Sequence, residues 1–345
     1  MKRILVVHPD LFVLAGDVRA MLMFADTFKM LGYDVLFLYT DIRPHKDRYF
    51  RLDQIYDYHT IEYLDIEPCE PLGIKLCGNF QEIRHKHLRT QVYDYMIKLR
   101  DFDTLFTDQV VLSYFGDDDA KFNTILYVHY PDRPNAPKHV HIWANSTYIK
   151  NLVIDNWNIV PKVVHPPINL KFYKSRRLDD RDYDIVMFGQ MYYTKRLFLA
   201  RKFADIGYKV AVIGAKVTSY DTVGGGKVDV YRNVTVREYT DILSRSKVYI
   251  HARPGEHFGI TITEAMASGC PVIVHRSGGQ WTDIVKYGAY GMAFSTEQEL
   301  ISNVKKLLSD PELWYKYHYL SLERAKTFDI SSVSIKIRTL LSGMD

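Results

Sequence analysis

Residues 253–274 read Arg253-Pro254-Gly255-Glu256-His257-Phe258-Gly259-Ile260-Thr261-Ile262-Thr263-Glu264-Ala265-Met266-Ala267-Ser268-Gly269-Cys270-Pro271-Val272-Ile273-Val274. The run before it, 247–251, is apolar and β-rich and ends near Ala252. The pattern is therefore a strand, a short loop carrying Glu256, and a helix that starts near Gly259 and carries Glu264 in its second turn. Ser268-Gly269 stops the helix, and a second strand follows at 271–274. Strand, helix and strand in that order form a βαβ unit, which needs a parallel sheet. Moving outward, the same alternation gives a strand at 184–188, a helix at 195–206, a strand at 208–213 and a helix at 236–245.

The first half of the chain repeats this grammar. Residues 3–8 predict a buried strand. Residues 17–31 predict a helix with Val18, Met21, Leu22, Ala25 and Phe28 on its apolar face, ended by Gly32, and 35–39 predict the next strand. Residues 60–66 and 81–99 predict a further strand and helix, followed by short strands at 104–107, 124–129 and 141–144. Ser146 is placed to cap a helix running to about Trp157. The alternation breaks at Ser175-Arg176-Arg177-Leu178-Asp179-Asp180-Arg181-Asp182, a charged run without apolar spacing. It reads as an interdomain linker, or else as a solvated loop inside one domain. The expected architecture is α/β: two doubly wound parallel sheets, residues 1–170 and 180–330, facing a cleft that is the default ligand site.

Composition narrows the function classes. The chain has 345 residues, 47% hydrophobic and 25% charged, which fits two globular domains and excludes wholesale disorder. No apolar run approaches the ~20 residues of a spanning helix. The apolar stretch after Met1-Lys2-Arg3 is short and reads as a strand rather than a signal peptide, so cytoplasmic residence is the default expectation. Three cysteines, Cys69, Cys77 and Cys270, with no C-x-x-C, make neither a disulfide framework nor a zinc site. Residues 1–170 hold 19 Lys/Arg against 22 Asp/Glu, whereas 171–345 hold 26 against 19. The second half is the better home for an anionic ligand. No basic stripe interleaved with aromatics is present, so nucleic acid is not an expected partner.

The chemistry of 253–274 follows from its residue types. A helix start presents free N–H groups and the positive end of a dipole, which suits a phosphate. Glu256 and Glu264 bracket that spot, and ionised carboxylates accept hydrogen bonds from hydroxyls. A nucleotide sugar has the matching layout of ribose, diphosphate and hexose. The plain structural alternative is that both carboxylates merely satisfy the helix dipole.

The complete string resembles the E-x7-E region of family 4 glycosyltransferases, retaining enzymes of the two-domain GT-B fold. Other segments match in order: Val128-His129-Tyr130-Pro131, Ala144-Asn145-Ser146-Thr147, Val164-His165-Pro166-Pro167, Phe188-Gly189 with Lys195 six residues on, and Ser277-Gly278-Gly279 followed by Asp283-Ile284-Val285. The resemblance covers nearly the whole chain and is weakest from 40 to 120. Within the family, the segments around Glu256 and His129 are most similar to α-1,2-mannosyltransferases that use GDP-mannose and extend lipid-linked oligosaccharides.

The resemblance implies the following roles. Glu264 binds the ribose, and Glu256 holds donor-sugar hydroxyls. The backbone at Phe258, Gly259 and Ile260 touches sugar and phosphate, Lys195 neutralises the leaving diphosphate, and His129 sits beside donor sugar and acceptor. Gly16 lets backbone approach the diphosphate, with an ordinary helix start capped by Asp17 as the alternative; Gly189 marks the diphosphate-binding strand. The family commonly has Arg immediately after that glycine, where this chain has Gln190; Arg196 or Arg253 is the candidate replacement. The implied reaction is metal-independent and cofactor-free: transfer of a hexose, mannose from GDP-mannose, to a saccharide or lipid-linked acceptor hydroxyl with retention. The last helix, about 331–342 within a 331–345 tail, is implied to cross back to the first domain. Two other readings stay open: a GT-B nucleotide-sugar epimerase or hydrolase, and a non-catalytic nucleotide-sugar-binding protein, to which the missing clamp arginine gives weight.

Other signals fail or stay open. Gly224-Gly225-Gly226-Lys227 lacks P-loop spacing, and Val228 stands where Ser or Thr is needed. Asp117-Asp118-Asp119 reads as a solvated turn rather than a metal site. His139 and His141 have strand spacing and no third ligand nearby. No G-x-G-x-x-G follows the first strand, which argues against a nicotinamide cofactor. Arg84-His85-Lys86-His87-Leu88-Arg89 makes a basic helix that could rest peripherally on an anionic membrane, or simply be a solvated face.

Overall fold

A computed structural model describes residues 2–8, 16–39, 102–108, 123–131, 139–189, 195–214, 228–232 and 234–344. The expected strand at 60–66, the helix at 81–99 with its basic face, Asp117–Asp119, Gln190 and the 224–227 glycine run lie outside the described residues. The chain divides into two compact units, Met1–Pro166 with Val333–Asp345, and Pro167–Ser332.

The first unit is built on a six-stranded sheet. Its strands are β1 (Arg3–His8), β2 (Asp34–Tyr39), β3 (Thr104–Thr107), β4 (Asn123–Val128), β5 (Val140–Ala144) and β6 (Lys162–Val163), in the order β2-β1-β3-β4-β5-β6. All pairings are parallel, as short apolar strands separated by helices demand. The helix Gly16–Met30 packs Phe24 and Phe28 against Phe106 and Tyr127, with ring centroids 4.6–5.2 Å apart. Val333, Ile337 and Leu341 of the last helix, Ile330–Ser342, are buried in the same cluster. Burying each such side chain contributes roughly 1.5–3 kcal/mol, enough to anchor the helix on this unit.

The second unit has strands β7 (Tyr183–Phe188), β8 (Val210–Ile213), β9 (Val228–Tyr231), β10 (Ser246–His251), β11 (Val272–His275) and β12 (Met292–Phe294). Their order is β12-β11-β10-β7-β8-β9, again all parallel. Strand residues alternate between faces: Val186 and Tyr249 enter one core cluster, and Ile185, Met187, Val248 and Ile250 enter the other. The sheet is thus covered on both sides. Its order reverses between β7 and β10, and in such sheets the crevice outside the carboxyl ends of the strands at the reversal is where ligands bind. The fold class is the α/β, two-sheet arrangement expected.

Two local expectations differ from the structure. The predicted 195–206 helix is regular only from Leu199 to Asp205, because Arg196 takes a left-handed φ of 52° that a continuous helix cannot contain. The charged run 175–182 that reads as a linker belongs to the second unit, which begins at Pro167. Arg181 is 3% exposed and donates to the carbonyls of Arg176, Ser246 and Ser268 at 2.6–3.1 Å, joining its own segment to the start of β10 and to the C-cap of the helix Ile260–Ala267. Ile168 pairs with the 328–330 segment through bonds of 2.8 Å, so the points where the chain enters and leaves this unit are tied together.

Candidate active site

Lys195 and Glu256 come from the two strands that flank the reversal in the second sheet. Gly189 directly follows β7, and a Cβ there would stand 2.9 Å from Lys195 Cγ and 3.0 Å from its Cβ. Glycine is what lets the lysine stem cross the strand end. Glu256 lies in the loop after β10 and is 6% exposed. Lys195 Nζ bonds Glu256 Oε2 at 2.5 Å, and His251 Nε2, at the last position of β10, bonds the same oxygen at 2.7 Å. Oε1 accepts from the His257 backbone N–H at 3.2 Å and has Arg253 Nη1 at 3.6 Å.

The electrostatics follow from these contacts. Burial alone would raise the Glu256 pKa; the His251 hydrogen bond and the charges of Lys195 and Arg253 outweigh it and hold the carboxyl well below its usual range. The His251 pKa is lowered as well, since burial and the nearby Lys195 charge outweigh the pull of Glu256. The pair is a carboxylate and a neutral imidazole that donates from Nε2.

The 275–280 segment fixes the loop. Gly255 N–H donates to Ser277 Oγ at 2.8 Å, Gly279 N–H donates to Glu256 O at 2.8 Å, and Gln280 Nε2 donates to Arg253 O at 2.6 Å. Gly278 has φ 72°, and a Cβ there would fall 2.3 Å from Glu256 O. The glycine pair allows two backbones to touch where any side chain would part them.

Gly259 precedes the helix Ile260–Ala267 with φ 97°, and no side chain caps that helix start. The Ile262 N–H bonds the Gly259 carbonyl at 2.9 Å, which leaves the amides at 260 and 261 for an anion lying against the helix start. The side chains of Phe258 and Ile260 are 2% and 7% exposed and belong to the apolar core, so only their backbone faces the site. Glu264, 1% exposed, accepts from the hydroxyls of Tyr173 at 3.0 Å and Tyr239 at 2.7 Å. Each hydroxyl takes one lone pair of a different oxygen, which leaves acceptor capacity on both.

Of the other expected residues, Arg196 pairs with Glu297 at 3.2 Å, together with Lys202, and is thereby directed to the start of the helix Glu297–Ser309. Arg253 is the arginine that meets Glu256. In the first unit, Gly16 begins the helix Gly16–Met30 with Asp17 in its first turn. His129 follows β4, edge-on to Tyr127 at 5.0 Å, and its buried Nε2 has no hydrogen-bond partner among the described residues. Burial lowers its pKa, against the charges of Asp17 and Asp108. His8 Nε2 lies 3.5 Å from Asp108 Oδ2, where the first sheet reverses between β1 and β3. Among the described residues no cluster of three or more His, Cys, Asp or Glu side chains is arranged to hold a metal ion, and no helix is long and apolar enough to cross a membrane.

Sequence reasoning missed His251, Tyr173 and Tyr239. His251 carries a weak signal, a polar residue closing the apolar strand Val248-Tyr249-Ile250. The tyrosines stand 91 and 25 residues from Glu264 and carry none.

Two six-stranded parallel sheets and this site define the class: the chain has the GT-B glycosyltransferase fold, and residues 171–321 match the family glycosyl transferases group 1. Among curated relatives, the GDP-Man:Man(3)GlcNAc(2)-PP-Dol alpha-1,2-mannosyltransferase of Xenopus laevis is 27% identical over 172 residues, covering 42% of this chain and 35% of the relative. The human protein of the same name is 24% identical over 201 residues, 49% of this chain and 41% of the relative. The matched part thus spans well under two thirds of these relatives. Among solved structures, sucrose-phosphate synthase from Thermosynechococcus elongatus superposes with a TM-score of 0.77 at 13% identity, covering 100% of this chain and 99% of that one. Anabaena HepE in complex with UDP and glucose gives 0.75 at 15% identity, covering 99% and 100%.

Proposed function

We propose that this chain is a retaining glycosyltransferase that moves a hexosyl group, mannosyl from GDP-mannose, to a hydroxyl of a saccharide or lipid-linked acceptor. The observation that carries the reading is the convergence of Lys195, Glu256 and an uncapped helix start at the reversal of the second sheet. The names of the curated relatives, with their GDP-mannose donor and dolichol-linked acceptor, favour the finer assignment. In this reading Glu264 holds the ribose. The amides at 259–260 and the ammonium of Lys195 take the diphosphate, and Glu256 takes sugar hydroxyls.

The bond from the anomeric carbon to the diphosphate oxygen breaks, and a bond from that carbon to the acceptor oxygen forms on the same face. The acceptor proton passes to a phosphate oxygen of the departing nucleoside diphosphate. Lys195 and the helix dipole act on the charge that grows there. No metal or cofactor is part of the proposal, and peripheral contact with an anionic membrane would serve a lipid-linked acceptor.

Thermal shift against GDP-mannose, UDP-glucose, UDP-N-acetylglucosamine and ADP-glucose tests the donor, since a ligand at a hundred times its Kd stabilises by about 2.7 kcal/mol. Proton NMR of the product formed on a lipid-linked mannose oligosaccharide then reads the anomer. GDP-mannose giving the largest shift and an α-mannosyl product is expected. Free mannose formed as fast without acceptor would replace the reading with hydrolysis, and tight binding without turnover on any acceptor would replace it with a binding protein.

A further inference from the structure

We propose that His251 is a positioning residue that holds Glu256 in place while Lys195 changes partners, an inference that rests on the nucleotide-sugar reading above. Lys195 Nζ and His251 Nε2 bond one and the same oxygen, Glu256 Oε2, at 2.5 and 2.7 Å. A diphosphate bound beside Lys195 competes for its ammonium. As the ammonium turns to the phosphate, Oε2 loses a charged partner inside a nearly closed site. A buried carboxylate stripped of partners either takes up a proton or rotates, and either outcome spoils it as an acceptor for sugar hydroxyls.

His251 cannot follow the ammonium. Its side chain is 1% exposed and ends β10, so its backbone is fixed in the sheet. Its ring stacks on Tyr249 with centroids 6.2 Å apart, and its Nδ1 lies 3.2 Å from the Tyr249 hydroxyl. That hydroxyl bonds Thr261 Oγ1 at 2.7 Å, on the helix whose start faces the site. The imidazole is thus held at both nitrogens by β10 and by the helix Ile260–Ala267. The charged groups around it are Lys195, Arg253 and Glu256; the two cations and burial favour the neutral ring, whose Nε2–H donates to Glu256. A mobile cation and a fixed neutral donor on one oxygen divide the work: the first leaves, the second stays.

The test compares GDP-mannose with GDP, which lacks the sugar that Glu256 holds. In H251L the affinity for GDP-mannose falls about tenfold, the order of one hydrogen bond to a charged group, while the affinity for GDP falls much less. In H251Q, whose amide nitrogen reaches the Nε2 position, most of the loss is recovered. Equal losses for the two ligands, or no loss for either, would overturn the proposal. If circular dichroism shows that H251L does not fold, the 15N imidazole resonances of the wild-type protein decide. Inorganic pyrophosphate should move the His251 Nε2 signal while it remains protonated, and a signal that stays still overturns the proposal. A pyrophosphate shift in a protein that binds no nucleotide sugar would instead overturn the donor assignment and leave the exchange of partners standing.

Discussion

Replacing Gly278 with alanine should damage the site without removing a single polar side chain. The added Cβ would meet Glu256 O at 2.3 Å, Glu256 N at 2.7 Å and Gly255 C at 2.8 Å. All three are backbone atoms, so no rotamer change relieves the contact. Opening the shortest contact to 3.4 Å, the lower edge of ordinary van der Waals contact, moves the Glu256 loop by about 1 Å. That displacement strains the 2.8 Å bonds from Gly279 to Glu256 and from Gly255 to Ser277. A misplacement of this size in a reacting group costs on the order of 100-fold in rate. The left-handed φ of 72° adds roughly 1–2 kcal/mol of backbone strain to the stability loss. Gly288 separates the two effects. Its φ is 98°, yet a Cβ there finds nothing nearer than 3.7 Å, so G288A carries strain without a clash. Urea unfolding, donor affinity and turnover are measured on both. G288A is expected to lose stability and keep donor affinity and rate; G278A is expected to lose stability and about two decades of rate. A G278A protein that matches G288A in affinity and turnover would refute the claim that backbone contact sets the position of Glu256.

Four further outcomes are expected. E264Q should weaken GDP binding about tenfold by calorimetry, because an amide offers one acceptor oxygen where the carboxylate offers two to the tyrosine hydroxyls and the ribose. The Glu256 pKa lies below its ordinary 4.5, so the ionised form contributes stability that is complete at neutral pH and lost as pH falls below about 4.5. The difference in unfolding free energy between wild type and E256Q should therefore be flat near pH 7 and shrink in acid. R181M should cost at least about 3 kcal/mol in urea unfolding, since it leaves several buried carbonyls without donors. R253M should weaken pyrophosphate and GDP binding more than R196M does, because Arg196 is already held by Glu297; equal losses would mean that Arg196 leaves Glu297 to meet the ligand.

Four strands of the second unit were legible because each is a short apolar run closed by turn residues, whereas the two edge strands, Val228–Tyr231 and Met292–Phe294, are too short and mixed to stand out. The order of the sheet was not, since nothing in Tyr183–Phe188 announces that it lies beside Ser246–His251. The same gap governs the site. Glu256 and Lys195 stand out as residue types near a helix start and a strand end, but their pairing across 61 residues exists only once β7 and β10 are adjacent. The helix boundary at 195–199 was misplaced because arginine is a good helix former and gives no hint of a left-handed turn at Arg196. The charged run at 175–182 misled in another way. Charge without apolar spacing usually means solvent, yet Arg181 is buried because its guanidinium donates to backbone carbonyls at a strand start and a helix end. A single sequence reports which groups need partners more readily than it reports which ones get them.

The two carboxylates of the site have been given opposite kinds of company, and that difference bears on how an anion is admitted. A diphosphate approaching a pair of buried carboxylates is repelled by both. At Glu256 the repulsion is offset before any ligand arrives, because Lys195 and Arg253 leave the cluster with one net positive charge and the imidazole of His251 adds a dipole rather than a charge. Glu264 accepts from the hydroxyls of Tyr173 and Tyr239, two donors that carry no charge. A ligand with its anionic centre near the first carboxylate and its neutral hydroxyls near the second fits this division; the reverse orientation sets phosphate against the carboxylate whose two hydroxyl donors carry no charge. At an effective dielectric constant of about 20, two unit charges 4 Å apart differ by roughly 8 kcal/mol between attraction and repulsion. Even a small part of that fixes which end of an elongated donor enters first. The polarity of the proposed ligand is therefore set by which glutamate holds the lysine, and moving the cation, as in a K195M protein that also carries Y239K, should abolish donor transfer even if nucleotide affinity survives.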